Sequence, residues 1–358
     1  MNKMSKILVA MSGGVDSSVA AALLKEKGFE VIGITLQLIP LEMQNFGECC
    51  SLSSIEDARK VAKILDIPHY VLNLREIFKK KVMNNFYTEY ISGWTPNPCV
   101  RCNQYIKFDA LWQKVKELKC EYLATGHYAK IEYDGKRNKY LLKKGKDTHK
   151  DQSYVLYVLT QQSLGRTLLP LDNYTKLEVR NMAKKLKLPV ANKKDSQDIC
   201  FVENKNYSGF LEKYFKYIPK EGNIINSQGE VLGKHKGIVN YTIGQRRGLG
   251  ISSKRPLYVV DINSDNNEII AGFEEDVYLE YLLARDINLI SIDKISKPLK
   301  IKAKIRYKAH EAEATILEVD HGISVKFNKP QWAITPGQSV VFYDNDEVLG
   351  GGIIDRIK

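Results

Sequence analysis

The sequence predicts an α/β protein: a doubly wound parallel sheet in the N-terminal half, then a small β-rich domain and a C-terminal β-barrel. Up to about residue 200, short apolar runs alternate with amphipathic stretches, which is typical of strands alternating with helices. Beyond about residue 205, strand-length segments of alternating polarity are separated by Gly, Asn and Asp turns, and long helical patterns are missing. We expect domains at residues 1–208, 209–282 and 283–358.

The first predicted strand is the apolar run at residues 7–11, and a helix follows it through residues 19–24. Gly28 is expected just past the end of this helix, where a left-handed backbone favours glycine. Residues 31–36 form the second apolar strand. Ser54, with a carboxylate at Asp57 three residues later, predicts the start of the next helix.

Pro68 ends that helix, and further strands are predicted at residues 69–74 and 122–125. In the C-terminal half, alternating polarity predicts strands at residues 300–307, 314–319 and 339–343. Ligands of doubly wound sheets bind at the carboxyl ends of the strands. We therefore expect the functional site where the N-terminal strands end.

Composition indicates a globular protein with a polyanionic partner. The chain has 358 residues, 44% of them hydrophobic and 27% charged, and a formal net charge of +12. Such a basic surface suits nucleic acid or an anionic membrane surface. No apolar run reaches the ~18 residues of a membrane span, and the start is too short for a secretory signal, so we expect a cytoplasmic protein without a membrane partner. In the cytosol, the six cysteines point to catalysis, metal binding or inert packing rather than structural disulfides.

A glycine-rich turn follows the first predicted strand. It spans residues 12–17 with the sequence SGGVDS and leads directly into the first predicted helix. Backbone N–H groups at a helix N-terminus bind anions, and glycines allow close approach to a phosphate. The turn is neither a G-x-x-x-x-G-K-[ST] loop nor a G-x-G-x-x-G fingerprint, and neither string occurs in the chain. A nucleotide site of another type is therefore expected here.

Two cysteine motifs stand apart from the turn. Residues 97–103 read NPCVRCN, with a Cys-x-x-Cys, and residues 195–201 read DSQDICF around Cys200. Cys102 and Cys200 can form a redox pair, and Arg101 would favour the Cys102 thiolate. Cys99, Cys102 and Cys200 can equally hold an iron–sulfur cluster, or zinc with help from Cys49 or Cys50. Cys120 is expected to be a buried structural thiol.

The SGGVDS turn resembles the pyrophosphate loop, or PP-loop, of the ATP pyrophosphatases. The order and spacing of the motifs resemble the bacterial tRNA-specific 2-thiouridylases over essentially the whole chain. The motifs are SGGVDS, NPCxxCN and DSxxICF, together with ATGHYA at residues 124–129, KDQSY at 150–154 and YTIGQRRG at 241–248.

This resemblance implies ATP-dependent conversion of the C2 oxygen of the tRNA wobble uridine, in the anticodon loop, to sulfur. ATP with Mg²⁺ would adenylate the oxygen, and a cysteine persulfide would supply sulfur. By resemblance, Cys200 accepts sulfur from a cysteine desulfurase or sulfur-relay protein, and Cys102 is the nucleophile; both are catalytic. Some family members carry aspartate where this chain has Cys99.

The resemblance also assigns binding residues position by position. The positions that match ATP contacts are Ala10, Met11, Ser12, Gly13, Gly14, Val15, Asp16, Ser17, Leu36 and Gly126. The positions that match tRNA contacts are Asn97, Pro98, Cys99, His127, Lys150, Asp151, Gln152, Arg306, Tyr307 and Gln338.

Three alternatives stay open at this point. The same reaction can use a [4Fe–4S] cluster on Cys99, Cys102 and Cys200. The loop can instead belong to a ligase that acts on a small molecule, which would leave the cysteines and the charge of +12 without a role. The chain can also be an RNA-binding protein that no longer catalyses a reaction.

Overall fold

A computed structural model describes residues 5–40, 43, 52–195 and 198–356. Its residue contacts divide the chain into two units. The first unit comprises Met1–Val82, Cys99–Asn204 and Asp346–Leu349. The second comprises Met83–Pro98, Lys205–Asn345 and Gly350–Lys358.

Strands and helices are numbered in chain order. The strands are β1 (Lys6–Ala10), β2 (Glu30–Gln37), β3 (His69–Asn73), β4 (Tyr122–Ala124), β5 (Ala129–Asp134), β6 (Lys139–Lys144), β7 (Thr167–Leu168), β8 (Gly222–Ile225), β9 (Val231–His235), β10 (Tyr258–Asn263), β11 (Glu268–Gly272), β12 (Tyr278–Leu289), β13 (Leu299–Lys304), β14 (Ala312–Val319), β15 (Gly322–Trp332), β16 (Ser339–Asp344) and β17 (Glu347–Ile354). The helices are α1 (Val15–Glu26), α2 (Leu52–Ile64), α3 (Arg75–Phe78), α4 (Asn84–Ile91), α5 (Pro98–Cys102), α6 (Leu111–Glu117), α7 (Ser153–Leu156), α8 (Gln161–Leu164), α9 (Lys176–Lys185) and α10 (Tyr207–Phe215).

The first unit contains the predicted parallel sheet. Among its described residues, five strands lie in the order β3-β2-β1-β4-β7, and each neighbouring pair is parallel. The central strand β1 is apolar and buried, with Ile7 opposite Val31 on one side and Tyr122 on the other. This arrangement confirms the doubly wound α/β prediction and brings the carboxyl ends of β1, β2 and β4 side by side.

Helix α1 is buried almost all round and packs in the same core as β1 and α9. Its end matches the sequence prediction. Gly28 has a φ of +83° and donates to the carbonyl of Lys25, while Phe29 donates to the carbonyl of Leu24. These are the two hydrogen bonds of a Schellman ending, which a glycine in the left-handed region allows.

Two features of the first unit differ from the prediction. Helix α2 already includes Leu52, so Ser54 is not its N-cap; it is buried inside the helix. An antiparallel hairpin, β5–β6, also interrupts the expected alternation, and Glu347 pairs with Lys143 of β6. The hairpin is rich in lysine and tyrosine, so its sequence lacks the apolar run of a buried strand.

The second unit confirms the predicted β-rich region and barrel. One sheet has the order β10-β11-β8-β9. Strands β12 to β17 form a barrel of six strands within residues 278–354, all of them described, closed by the pairing of β12 with β17. Strand β13 ends at Lys304, so the predicted strand at 300–307 was three residues too long. The 1–208, 209–282 and 283–358 boundaries stay predictions.

In the described part of the chain, no helix is both long enough and apolar enough to cross a membrane.

Candidate nucleotide and sulfur-transfer site

The PP-loop, residues Ser12–Ser17, lies between the end of β1 and the first turn of α1. Gly13 has a φ of +71°, and a Cβ there would lie 2.1 Å from the carbonyl oxygen of Ser54. The backbone N–H of Ser12 donates to Ser17 Oγ at 3.1 Å, and Ser18 Oγ donates to the carbonyl of Gly14 at 2.8 Å. These bonds shape the turn around the helix N-terminus, where backbone N–H groups bind anions.

The end of β4 packs directly against the PP-loop. A Cβ on Gly126 would lie 2.6 Å from the backbone nitrogen of Ser17 and 2.7 Å from the carbonyl carbon of Asp16. Leu36 is half-buried near the end of β2, the neighbour of β1. The carboxyl edge of the sheet thus brings together three predicted ATP-contacting elements.

Asp16 pairs with a lysine that the sequence analysis did not single out, and it also contacts Tyr128 of the ATGHYA motif. The Lys176 ammonium lies 2.7 Å from both carboxylate oxygens of Asp16 and 2.8 Å from Asp195 Oδ1. The hydroxyl of Tyr128 donates to Asp16 Oδ1 at 2.7 Å. Burial and the neighbouring Asp16 raise the pKa of Tyr128, so its phenol stays protonated. Lys176 therefore joins the PP-loop to Asp195, at the start of the Cys200 motif.

Asp195 accepts hydrogen bonds from two further cations. Lys150 donates to it at 2.8 Å and Arg180 at 2.7 Å. Burial opposes ionisation of Asp195, but hydrogen bonds from Lys150 and Lys176 outweigh it and lower its pKa to about 2. Lys150, predicted to contact tRNA, is thus an ion-pair partner within this cluster.

Lys193 forms a second cationic contact with the PP-loop. Its ammonium donates to the carbonyl of Gly13 at 3.1 Å and to Asp57 at 2.8 Å. It also lies 3.4 Å from Ser54 Oγ. Ser54 and Asp57, predicted only as helix-start residues, therefore help to hold the loop.

The three cysteines of the two motifs all lie among the described residues. Cys99 and Cys102 belong to α5, which continues into a π-helical segment, Asn103–Ala110. The amide of Asn103 is buried and donates to the carbonyl of Val155 at 2.9 Å. Cys99 is exposed, and Cys102 and Cys200 are half-buried.

Phe201, the residue after Cys200, is buried. It is 1% exposed, and its ring meets that of Phe78 edge-on at 5.7 Å. The residue after Cys200 is therefore held by aromatic packing. Cys49, Cys50, Ser196 and Gln197 lie outside the described residues.

The iron–sulfur alternative does not fit the arrangement of side chains. Cys99, Cys102 and Cys200 are all described, and among the described residues no group of three or more His, Cys, Asp or Glu side chains is arranged to hold a metal ion.

Three residues predicted to contact tRNA make polar contacts within the first unit. His127 is 7% exposed; its Nδ1 lies 2.7 Å from Thr125 Oγ1 and its Nε2 lies 3.4 Å from the Lys107 ammonium. Asp151 accepts from the backbone of Gly145 and from Ser153. Gln152 Oε1 accepts from the backbone N–H of Tyr128 at 3.0 Å. These side chains stabilise neighbouring backbone and side chains of the first unit. Their contact with tRNA stays a prediction.

His127 should make stability fall in mild acid. Burial, and then the Lys107 charge, lower the pKa of His127 well below 6.5. Below pH ~6.5 the unfolded chain binds a proton that the folded state excludes, so stability is present above that pH and is lost at up to ~1.4 kcal/mol per unit below it. In urea titrations from pH 7.5 to 5, His127→Gln should lose less stability than the wild type.

The control is His149→Gln, which removes an exposed histidine instead of a buried one. His69, whose pKa burial and the Arg59 charge also lower, is present in every variant and cancels in the comparison. Identical pH profiles for His127→Gln and the wild type would contradict the assignment.

In the second unit, three predicted tRNA contacts lie at the barrel. Arg306 donates to the carbonyls of Trp332 and Ala333, the first at 2.8 Å. The Lys304 ammonium lies 5.9 Å from the centre of the Tyr307 ring. Gln338 Nε2 donates to the carbonyl of Thr95 at 2.8 Å. Gln338 thus holds the chain just before Asn97, which is half-buried, and Pro98, which is buried.

Replacing Gln338 with leucine should affect the tRNA thiolation that the resemblance implies. The effect would be indirect, through the chain segment from Thr95 to Asn97. Loss of the hydrogen bond to Thr95 should cost about 1 kcal/mol. We expect a lower melting temperature and slower turnover, with the Kd for tRNA unchanged. Gln331→Leu is the matched control, since that amide donates only to carbonyls one and two residues away. A raised tRNA Kd without a change in stability would instead indicate direct RNA contact.

Three family models match the chain in succession. They are described as a tRNA methyl transferase HUP domain at residues 5–204, a tRNA methyl transferase PRC-barrel domain at 208–272 and an aminomethyltransferase beta-barrel domain at 280–354. A solved complex of a 4-thiouridine synthetase with RNA and ATP is 18% identical, with a TM-score of 0.39, and covers 59% of this chain and 50% of that one.

Curated relatives match nearly end to end. The tRNA-specific 2-thiouridylase MnmA 1 of Caldanaerobacter subterraneus subsp. tengcongensis is 54% identical, covering 98% of both chains. MnmA 2 of Thermoanaerobacter sp. is 55% identical, again covering 98% of both chains. MnmA of Clostridioides difficile is 52% identical over 99% of both chains. The chain therefore belongs to the family of the tRNA-specific 2-thiouridylases MnmA.

Proposed function

We propose that the protein catalyses ATP-dependent 2-thiolation of the wobble uridine of tRNA. The observation that carries the proposal is the preformed PP-loop, which packs closely against Gly126 and Ser54. It lies in a chain that also has both cysteines of a sulfur-transfer reaction and whose relatives are named 2-thiouridylases. A small-molecule ligase would leave the cysteines and the basic charge without a role.

The first chemical step is adenylation of the C2 oxygen of uridine. That oxygen attacks the α-phosphate of ATP, its bond to phosphorus forms, and pyrophosphate leaves. The N–H groups of the PP-loop and the helix N-terminus stabilise the negative charge of the leaving pyrophosphate. Mg²⁺ would be held mainly by the phosphates, with Asp16 as the nearest loop carboxylate, because the described side chains offer no ready three-ligand site.

The second step replaces the oxygen with sulfur. Cys200 carries the persulfide, and the Cys102 thiolate attacks the Cys200 sulfur, which releases the terminal sulfur as hydrosulfide and forms a Cys102–Cys200 disulfide. Hydrosulfide attacks C2 and AMP leaves with the original oxygen. A thiol reductant must then supply two electrons to reopen the disulfide. Alternatively, the persulfide attacks C2 directly before Cys102 resolves it.

The RNA and the sulfur source complete the proposal. The net charge of +12 suits tRNA, whose phosphates contribute salt-dependent affinity. The anticodon loop must expose its wobble base so that the base can reach the cysteines. We assign binding of the rest of the tRNA to residues 209–282 and 283–358. A cysteine desulfurase or sulfur-relay protein would load Cys200. The reaction is assigned to the cytoplasm, where tRNA and ATP meet.

The test is anaerobic turnover of unmodified tRNA with a uridine at the wobble position, with ATP, Mg²⁺ and a persulfide donor. Thiolated nucleoside is measured by mass after digestion, and bound iron is quantified in parallel. Thiolated product from iron-free protein is the expected result. Product that appears only with iron bound would overturn the persulfide route. No product under either condition would favour the small-molecule ligase.

A further inference from the structure

The proposed sulfur transfer uses Cys102 and Cys200 and gives the third motif cysteine, Cys99, no chemical role. Cys99 lies on α5 three residues before Cys102, and both residues belong to that α-helix. In an α-helix, Cα atoms three residues apart lie about 5 Å from each other. Disulfides join Cα atoms that are about 4.4–6.8 Å apart. The helix therefore holds Cys99 and Cys102 at a spacing that a disulfide can bridge.

Neighbouring side chains fix this part of α5 within the first unit. Val100, between the two cysteines, is 1% exposed. Asn103, directly after Cys102, is also buried, and its amide donates to the carbonyl of Val155 at 2.9 Å. Because these contacts lie on either side of Cys102 in the chain, they preserve the helical spacing of the two thiols.

The motif cysteines differ in their access to solvent. Cys99 is exposed, whereas Cys102 and Cys200 are half-buried. The rate of thiol–disulfide exchange depends on which sulfur is attacked and on access to it. A disulfide that includes Cys99 therefore presents an exposed sulfur to a reductant. A disulfide between Cys102 and Cys200 presents only half-buried sulfurs.

We propose that Cys99 regenerates Cys200 by moving the disulfide onto α5. The inference rests on the proposed function, because it begins with the Cys102–Cys200 disulfide left by sulfur transfer. The Cys99 thiol loses its proton to water, and its thiolate attacks the Cys102 sulfur. The Cys99–Cys102 bond forms, the Cys102–Cys200 bond breaks, and Cys200 leaves as a thiolate.

A dithiol reductant completes the cycle. It attacks the exposed Cys99 sulfur and supplies two electrons, which returns Cys99 and Cys102 to thiols while the dithiol becomes a disulfide. Cys200 is by then already a thiolate and can accept the next sulfur atom. Loading of Cys200 and reduction of α5 can therefore overlap in time.

The test maps disulfides after a single turnover. Persulfide-loaded protein is mixed with unmodified tRNA, ATP and Mg²⁺ without reductant, then quenched in acid, alkylated with N-ethylmaleimide and digested with trypsin. Trypsin cleaves after Arg101, so a Cys99–Cys102 disulfide joins two separate peptides and is identified by mass. In the wild type this disulfide should exceed the Cys102–Cys200 disulfide at least about fivefold.

Cys99→Ser should leave the disulfide between Cys102 and Cys200. Disulfides are counted per thiolated nucleoside, so weaker tRNA binding by the variant does not affect the comparison. Dithiothreitol should reopen this disulfide at least about tenfold more slowly than the wild-type disulfide, because both of its sulfurs are half-buried. Cys120→Ser is the matched control. It removes a half-buried thiol outside both motifs and should give the wild-type disulfide and reopening rate.

A Cys102–Cys200 disulfide that persists in the wild type after thiolation would overturn this inference and leave the proposed function intact. Equal reopening rates in the wild type and Cys99→Ser would also overturn it. If no tRNA is thiolated, the proposed function fails, and the exchange pair is tested without tRNA by equilibrating the reduced protein in glutathione redox buffers. A Cys99–Cys102 disulfide in these buffers would support the pair, and its absence would refute it.

Discussion

Replacing either Cys102 or Cys200 with alanine should abolish tRNA thiolation, with a loss of at least about 1,000-fold, because in the proposed mechanism each removes a sulfur atom that takes part in the reaction. Binding of ATP and tRNA should change less than about twofold, since both rest on other contacts. Thiolated nucleoside is measured by mass under single-turnover conditions, and the two Kd values are measured by equilibrium methods on the same preparations.

Cys120→Ala provides the matched control. This thiol is half-buried, lies outside both motifs, and has a pKa that burial raises, which makes it unreactive. It should retain wild-type turnover. Residual thiolation above about 10% in Cys200→Ala would show that the persulfide forms elsewhere, and Cys102 would then be the first candidate.

The second large effect is expected from a single methyl group at Gly126. In Gly126→Ala the new Cβ would lie 2.6 Å from the backbone nitrogen of Ser17, so the PP-loop must move. Overpacking of this kind costs about 1–3 kcal/mol, which corresponds to about 5- to 150-fold weaker ATP binding if the loop absorbs the strain. Isothermal titration with the α,β-methylene analogue measures the change.

Gly135→Ala is the control, because a Cβ there would meet no atom within 4 Å. It should bind the analogue like the wild type. Circular dichroism and melting temperature show whether Gly126→Ala is folded. If folded Gly126→Ala bound the analogue normally, the PP-loop would not be the nucleotide site.

The sequence predicted those parts of the site that local pattern determines. A buried strand, two glycines and a helix start place the PP-loop, and Gly28 marks the end of α1, because backbone conformation limits which residues fit. The parallel direction of β1, β2 and β4 followed from alternation along the chain, although the order of the strands did not. These features depend on neighbours in sequence.

The ion pairs around the loop could not be predicted in this way. Lys176 lies 160 residues from Asp16, and Lys193 lies 180 residues from Gly13. A lysine on a helix or in a loop has the same local pattern whether it meets solvent or a buried carboxylate. Arg306 is a related case: its contact with RNA stays a prediction, while its hydrogen bond to the carbonyl of Trp332 could not be predicted from local pattern.

The pairing of β12 with β17 has a consequence for biosynthesis. The ribosome makes β12 well before β17, so the barrel cannot close until nearly all of its chain has emerged. Helix α4 belongs to the same unit as the barrel, although it is translated much earlier, between two stretches of the first unit. Such discontinuous units fold slowly, and they expose apolar surface until their last segments have been synthesised. Chaperone dependence during translation is therefore expected to centre on α4 and the barrel strands rather than on β1 and α1.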